Sequence, residues 1–177
     1  MTVAADIVME APEDIIVDCN GADGAVVSWV PPTAASCCNS CPTEGTDLPG
    51  FIYMGAYNGH QYYCSIEPAR WQAANEVCNQ YGGYLASINS ADENDFLAAF
   101  LTTQSVFIGA NDRVQEGNFA WASGEPMTYN NWYVGQPNNL NGNQDYCQML
   151  SDGRWDDIFN NSKLEYVLEL PLSLIHI

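Results

Sequence analysis

The stretch that decides the fold runs from residue 71 to residue 88 and reads WQAANEVCNQYGGYLASI. Four of its side chains recur at helical spacing and share one face: Trp71, Ala74, Cys78 and Tyr81. Gly82-Gly83 follows directly and is typical of a helix end, because glycine readily adopts the left-handed conformation found there. The stretch therefore predicts a helix over residues 69–81.

On either side of this helix the pattern changes. Residues 51–64 (FIYMGAYNGHQYYC) alternate enough to predict a pair of strands. Ser90 and Glu93 have the spacing of a capping box, so a second helix is predicted to begin at Ser90. Its apolar face is formed by Phe96, Leu97, Phe100 and Leu101. Beyond residue 104 the chain reads as short strands and polar loops, and the whole predicts an α+β fold.

Several motifs, in this order and at this spacing, resemble the C-type lectin-like domain. They are the WxxAxxxC pattern of residues 71–78, GYLASI at 83–88, FIGA at 107–110, FAW at 119–121 and YNNW at 129–132. The resemblance covers residues 50–170. It implies two helices, small antiparallel sheets and a long calcium-binding loop.

The resemblance also implies a Ca²⁺ site shared by two loops, one reading QPN at 136–138 and the other WDD at 155–157. Carried over by position, the metal ligands are Gln136, Asn138, Asp145, Asp156 and Asp157. Gln136 is neutral where many members have Glu, but Asp156 is acidic where the family has Asn. Three carboxylates remain, which suits a cation that prefers oxygen ligands. The bond before Pro137 is expected to be cis.

The same resemblance implies that the metal ligands also hold a sugar. The implied ligand-binding residues are Gln136, Asn138, Asp145, Asp157 and, as an aromatic face, Tyr146; a packed Tyr146 is the alternative. In a QPN motif both flanking amides donate once their oxygens face the metal. The motif therefore predicts neither of the two usual sugar specificities.

A second calcium site is implied beside the first. Asp112 and Glu116 match two of its ligands, and Asn139 is the third candidate. Asn139 and Tyr146 stand where the family has carboxylates, so this site is the weaker of the two expectations.

Seven cysteines are present, at 19, 37, 38, 41, 64, 78 and 147. In the family, the cysteine of the first helix pairs with one on the terminal strand, where this chain has Leu168. Because the resemblance places the first strand beside the last, we expect a Cys64–Cys78 disulfide. Cys147 is then left without a partner, and Cys19 is expected to pair within the 37/38/41 cluster.

Composition restricts the partners and the compartment. The chain has 22 acidic against 4 basic residues and a formal net charge of -18, which excludes nucleic acid and disfavours anionic membranes. Cysteine usage favours an oxidising, extracellular location, so a secreted protein is predicted. No stretch is apolar enough to insert in a membrane.

The ends of the chain differ from its centre. Residues 1–48 resemble the first part of a hyalin-repeat, immunoglobulin-like module of bacterial or environmental secreted proteins, with strands expected at 15–17 and 25–30. Residues 49–171 are expected to form the lectin-like domain that the motifs resemble. Residues 172–177 (LSLIHI) match a translated sequencing adapter and are interpreted as a tail outside the fold.

These patterns predict a calcium-dependent lectin that binds glycans for adhesion or recognition. The alternative is a calcium-stabilised subunit of an extracellular filament or adhesin that assembles with copies of itself and binds no sugar. An enzyme is not predicted, because only His60 and His176 are present and the chain has neither HExxH nor a serine-elbow motif.

Overall fold

The computed structural model of the chain describes residues 8–10, 14–16 and 48–172. The chain divides into two compact units, Met1–Ala34 and Ala35–Ile177. In the first unit, strand β1 (Val8–Glu10) pairs antiparallel with β2 (Asp14–Ile16). The strand expected at 25–30, most of the hyalin-repeat resemblance and tail residues 173–177 lie outside the described residues.

The second unit combines two helices with a mixed sheet, which confirms the predicted α+β class. The helices are α1 (Trp71–Gln80) and α2 (Ala91–Ala98). The strands are β3 (Phe51–Tyr57), β4 (His60–Ser65), β5 (Tyr84–Leu85), β6 (Val106–Asn111), β7 (Ala120–Trp121), β8 (Tyr146–Met149), β9 (Trp155–Ile158) and β10 (Glu165–Pro171). Neither helix has the length and apolar character needed to cross a bilayer, among the residues that are described.

The sheet places the last strand in its middle. Its order is β3-β4-β10-β6-β8-β9, with β5 also pairing β10 and β7 also pairing β6. Only the β10–β6 pairing is parallel among the ladders of the described chain. The predicted strand pair over 51–64 is confirmed as the β3–β4 hairpin, closed by Asn58 and Gly59 with positive φ of 45° and 84°.

Helix α1 buries the predicted face except at its end. Trp71, Ala74 and Cys78 are buried, whereas Tyr81 is 37% exposed and donates from its hydroxyl to the Pro49 carbonyl at 2.8 Å. The helix ends at Gln80, and Tyr81 is its C-cap residue. Tyr81 is therefore only partly buried, with its ring packed edge-on against that of Phe51.

Gly83 allows the chain that follows α1 to pass close to β10. A Cβ at this position would lie 2.3 Å from the carbonyl oxygen of Glu169. Gly109 is constrained in the same way, since its Cβ would lie 2.5 Å from the carbonyl oxygen of Leu85. Both glycines allow neighbouring backbones to approach closely across the centre of the sheet.

Helix α2 begins where the capping-box spacing predicts. The Ser90 hydroxyl accepts from the backbone N–H of Glu93 at 3.2 Å, and the Glu93 carboxylate accepts from the backbone N–H of Asn89 at 2.8 Å. The second oxygen of Glu93 accepts from the Tyr62 hydroxyl at 2.5 Å. Glu93 therefore both caps the first turn of α2 and links α2 to β4.

The sheet separates two hydrophobic cores. The α2 core lies on one face and contains Cys64, Leu97, Val106, Ile108, Cys147 and Val167, among others. The α1 core lies on the other face and contains Tyr63, Trp71, Cys78, Phe107, Tyr146 and Leu168, among others. Consecutive residues of β4, β6 and β10 alternate between the two cores, as the pleat of a strand requires.

This alternation makes the expected Cys64–Cys78 disulfide wrong. β4 does lie beside β10, but Cys64 is opposite Val167 and faces the α2 core, whereas Leu168 and Cys78 face the α1 core. A shift of one residue along a strand reverses the face. Within residues 48–172, Cys78 and Cys147 are free, buried thiols, and Cys64 is disulfide-bonded but not to Cys78. The expectation of a free Cys147 is confirmed.

A buried carboxylate on β10 links this strand to β4, to β5 and to the loop that follows β5. Glu169 is 1% exposed; it accepts from the Ser87 backbone N–H at 2.8 Å and from the Tyr84 hydroxyl at 3.3 Å, and it pairs with His60. Burial raises the pKa of Glu169 to about 7, with the charge of Glu93 adding to the effect and the Ser87 bond and His60 opposing it. Its ionised form is therefore disfavoured in the fold.

This pKa predicts a pH dependence of stability. Since the folded pKa lies above the ordinary value of 4.5, the contribution of Glu169 is fully present below about pH 4.5 and is lost as the pH rises through about 7. We expect Glu169→Gln to remove this pH-dependent loss of stability, which amounts to roughly 3 kcal/mol at most. Urea denaturation at a series of pH values measures it. Glu76→Gln, on the exposed face of α1, should keep the wild-type slope, and an unchanged slope in Glu169→Gln would contradict the assignment.

Candidate functional site

The two loops named from the sequence lie side by side. Trp132 forms a parallel bridge with Trp155, the first residue of β9, and the Tyr133 N–H donates to the Trp155 carbonyl at 2.7 Å. The Gln136 N–H then donates to the Tyr133 carbonyl at 2.9 Å and closes a turn. The Gln136–Pro137 bond is cis, as expected. The QPN loop is thereby placed next to Asp156 and Asp157 of β9.

Asp157 joins the two loops directly. It is 1% exposed, and its two carboxylate oxygens accept from the backbone N–H groups of Asn138 at 2.9 Å and Asn139 at 2.6 Å. A carboxylate offers about four lone-pair positions, so these two bonds leave it able to bind a cation as well. Of the predicted ligands, the structure brings Asp157 and the backbone of Asn138 into contact.

Two other predicted ligands carry oxygens that lack a partner. Gln136 Oε1 and Asp156 Oδ1 are buried and accept no hydrogen bond from any described residue. The second oxygen of Asp156 accepts from Gln148 Nε2 at 3.0 Å. An unsatisfied buried acceptor costs about 1–3 kcal/mol, and a cation would remove that cost. These oxygens therefore fit a metal ligand set.

The electrostatics at Asp156 point the same way. Burial raises the pKa of the Asp156 carboxyl, the hydrogen bond from Gln148 opposes the shift, and the charge of Asp157 adds to it. Two adjacent carboxylates in a partly buried position favour a divalent counter-charge.

Gln144 is a positioning residue that the sequence did not indicate. It is 7% exposed, its Nε2 donates to the Asp157 carbonyl at 2.8 Å, and its Oε1 accepts from the Leu140 N–H. It therefore connects β9 to the short 3-10 helix Leu140–Gly142. An amide that acts through backbone partners leaves no periodic signal, and only its place beside Asp145 could have drawn attention to it.

The second predicted site gains a carboxylate that was expected in the first. Asp112, Glu116 and Asp145 lie close together, with one ligand atom of each within 4.8 Å of the others. The added residue is Asp145, which was also expected as a ligand of the first site beside Gln136 and Asn138. Its Oδ2 accepts from Asn160 Nδ2, and its backbone N–H donates to Asn160 Oδ1, both at 2.8 Å.

Asp112 is the buried member of this cluster, at 4% exposure. Its Oδ2 accepts from the Gly117 N–H at 2.8 Å, while its Oδ1 is buried and has no partner among the described residues. Burial raises the pKa of the Asp112 carboxyl, the Gly117 bond opposes this, and the charges of Glu116 and Asp145 add to it. Three mutually repelling carboxylates would be stabilised by a divalent cation.

The remaining predicted residues are engaged in the fold. Asn139, at a φ of 42°, accepts at Oδ1 from the Gln144 N–H at 3.1 Å. Tyr146 is 3% exposed and stacks on Trp71, with ring centroids 4.7 Å apart and planes inclined by 16°. The expectation of Tyr146 as an aromatic face for a ligand is therefore wrong, and the packed alternative holds.

Trp155 anchors the site to α2. It is fully buried, and its indole Nε1 donates to Asn94 Oδ1 at 2.8 Å. Asn94 Nδ2 donates in turn to the Gly153 carbonyl at 3.1 Å. Its ring also makes edge contacts with those of Trp121, Tyr129 and Trp132. The residue that precedes Asp156 is thus fixed by both hydrogen bonding and packing.

Comparison with known proteins agrees with this geometry. The family model described as "Lectin C-type domain" matches residues 67–169. The chain is 33% identical over 136 residues to lectin BRA-3 of Megabalanus rosa, and the match covers 73% of this chain and 83% of that protein. It is 33% identical over 128 residues to the low affinity immunoglobulin epsilon Fc receptor of Mus musculus, covering 72% of this chain and 36% of the receptor. The chain thus spans only about a third of that receptor.

A solved structure shows the same fold. The cow carbohydrate-recognition domain of CD23, determined in the presence of a GlcNAc2Man3 oligosaccharide, superposes with a TM-score of 0.63 at 32% identity. The match covers 76% of this chain and 98% of that domain. It confirms the C-type lectin fold predicted from the motifs.

Proposed function

Because the chain belongs to the C-type lectin domain family, a family of lectins and not of enzymes, we propose that it is an extracellular, calcium-dependent carbohydrate-binding module for adhesion or glycan recognition. The observation that carries the proposal is the pair of buried, unpartnered oxygens on Gln136 and Asp156. Both belong to the ligand set expected from the sequence. Buried polar atoms in proteins nearly always have a hydrogen-bond partner, so two unpartnered oxygens on adjacent segments of the fold are those expected of a site that binds an ion.

The two clusters divide the ligand residues between them. Gln136, Asn138, Asp156 and Asp157 would hold the principal Ca²⁺. Asp145, together with Asp112 and Glu116, would hold a second one, and the Asn160 bonds to Asp145 orient its carboxylate for this role. All of these donors are carboxylate or amide oxygens, the ligand type that Ca²⁺ prefers.

The principal site would also orient the sugar. Two neighbouring sugar hydroxyls would complete the coordination shell of a bound Ca²⁺ with their oxygens. The amide N–H groups of Gln136 and Asn138 would donate to those hydroxyls, and the carboxylates of Asp156 and Asp157 would accept from them. Such shallow sites gain useful avidity from several copies, so self-association of the chain would strengthen glycan binding.

A glycan array probed with and without calcium tests the proposal. We expect the wild-type chain to bind a set of glycans in calcium and to lose that binding when calcium is chelated. Asp157→Asn should lower the calcium-dependent signal by about tenfold or more, since it weakens the carboxylate that joins both loops. Asp95→Asn, an exposed change on α2, is the matched control and should bind as the wild type does.

Two outcomes would contradict the proposal in different ways. Equal binding with and without chelator would remove the role of calcium in recognition. No glycan binding, in a protein that calcium nevertheless stabilises, would leave a calcium-stabilised scaffold and favour an assembly role.

A further inference from the structure

A cleft lies between the first turns of α1 and the loop that joins β6 to β7. It consists of two adjoining cavities of about 440 and 340 Å³ that share Trp71, Asn75 and Arg113. This is the size range of pockets that bind small ligands. None of the lining residues belongs to either predicted calcium site.

The floor of the cleft is rigid. The Trp71 ring is stacked on that of Tyr146, and its Nε1 donates to the Ile108 carbonyl at 2.9 Å. Ala120 and Ala122 line the opposite wall with small side chains, which leaves the space open. The cavity therefore exists without any rearrangement of the core.

The lining offers several amide groups and one guanidinium. Asn75 Oδ1 is buried and has no hydrogen-bond partner in the described chain. The guanidinium of Arg113 lies 5.9 Å from the Tyr146 ring centroid, and no ion pair to it is found among the described residues. Gln115 and Asn118 add further amides from the loop. The cleft can thus both donate and accept hydrogen bonds above an apolar floor.

These properties select a ligand class. An apolar ligand would cover the exposed amides of Gln115 and Asn118 without giving them hydrogen-bond partners. An anion would meet Glu76 in the lining and a protein of net charge -18. Hydroxyl groups both donate and accept, and the apolar face of a sugar ring matches the apolar part of the lining, which is the Trp71 floor and the wall of Ala120 and Ala122. We propose that this cleft is a second carbohydrate site that binds a neutral saccharide without calcium.

Titration of the chain with neutral disaccharides in the presence of a chelator tests this site alone. The ¹⁵N-labelled chain is followed by NMR at the Trp71 indole and the Asn75 side-chain amide while maltose, cellobiose, lactose or N,N′-diacetylchitobiose is added to high millimolar concentration. At least one of them should produce saturable shifts at both resonances. Because the chelator removes any calcium, failure of the principal lectin site would not affect this result.

Asn75→Leu should weaken that binding by about tenfold or more, because Asn75 lines both cavities and its amide is replaced by an apolar side chain. It should not lower the melting temperature, since a buried oxygen without a partner contributes nothing to the fold. Asn79→Leu, exposed on the next turn of α1 and outside the lining, is the control and should bind normally. If Asn75→Leu proves unstable, Arg113→Ala at an exposed position replaces it and should weaken binding likewise. Absence of shifts with all four sugars, or undiminished binding by the folded variant, would overturn the proposal.

Discussion

Calcium is expected to raise the melting temperature of the wild-type chain by about 8 °C, and the double variant Asp112→Asn/Asp156→Asn is expected to lose most of this rise. A ligand at one hundred times its dissociation constant stabilises the fold by about 2.7 kcal/mol, which for a domain of this size corresponds to roughly that shift. Each substitution removes one carboxylate from one cluster. Each also keeps an oxygen for the existing bond, from Gly117 in one case and from Gln148 in the other.

The same variant should behave in the opposite way when calcium is chelated. Burial and neighbouring negative charge raise the pKa of both Asp112 and Asp156, so their ionised forms are disfavoured in the fold without a cation. Neutral asparagines remove that repulsion, and the variant should then melt slightly above the wild type. The variant should therefore have the higher melting temperature in chelator, and the wild type should have the higher one in calcium.

Differential scanning calorimetry in both buffers measures this exchange. The control Asp95→Asn loses a carboxylate on the exposed face of α2 and should follow the wild type in both conditions. A calcium response that is equal in the wild type and the double variant would show that these carboxylates are not the metal ligands.

Trp155→Ala is expected to destabilise the fold by about 4 kcal/mol or more. Its ring is fully buried and in contact with three other aromatic rings. Removal leaves a cavity and also an unpaired oxygen on Asn94. Because Trp155 precedes Asp156 and accepts from the Tyr133 N–H, the folded fraction that remains should also respond less to calcium.

Two further variants separate packing from hydrogen bonding. Trp155→Phe retains most of the ring contacts but leaves Asn94 Oδ1 unsatisfied, at a cost of about 1–3 kcal/mol. Tyr133→Ala removes an aromatic ring that is 40% exposed and should cost about 1 kcal/mol or less. Urea denaturation gives all three values, and a loss for Trp155→Ala no larger than for Tyr133→Ala would contradict the anchoring role.

Much of the fold could be predicted from residues 71–88. The apolar face of α1 is visible as helical spacing, and the glycines that follow it mark the end of the helix. The prediction fails where a shift of one residue changes the face on which a side chain lies. The Cys64–Cys78 pairing was wrong because Cys64 faces the α2 core and Cys78 the α1 core. The first helix was predicted to end at residue 81 but ends at Gln80, because periodicity does not show at which residue a helix ends. Both errors concern a single residue step, which sequence patterns resolve poorly.

The site shows the same limit. The oxygen ligands of two calcium sites could be predicted from the motifs, but the proximity of Asp145 to Asp112 and Glu116 could not. Tyr146 stacks on Trp71 in the α1 core, and Asp145, the residue before it, lies with Asp112 and Glu116. Gln144 was missed because its partners are backbone groups of Leu140 and Asp157, which carry no sequence signal.

The central place of β10 has a consequence for synthesis. Residues 165–171 pair with β4 on one side and β6 on the other, yet they are among the last described residues to be translated. On the ribosome, the nascent chain therefore carries two open strand edges until this segment emerges from the exit tunnel. Pairings that span about a hundred residues form slowly, and exposed edges invite association between chains. A premature stop codon before Glu165 would leave both edges uncovered and yield an aggregating product instead of a smaller lectin.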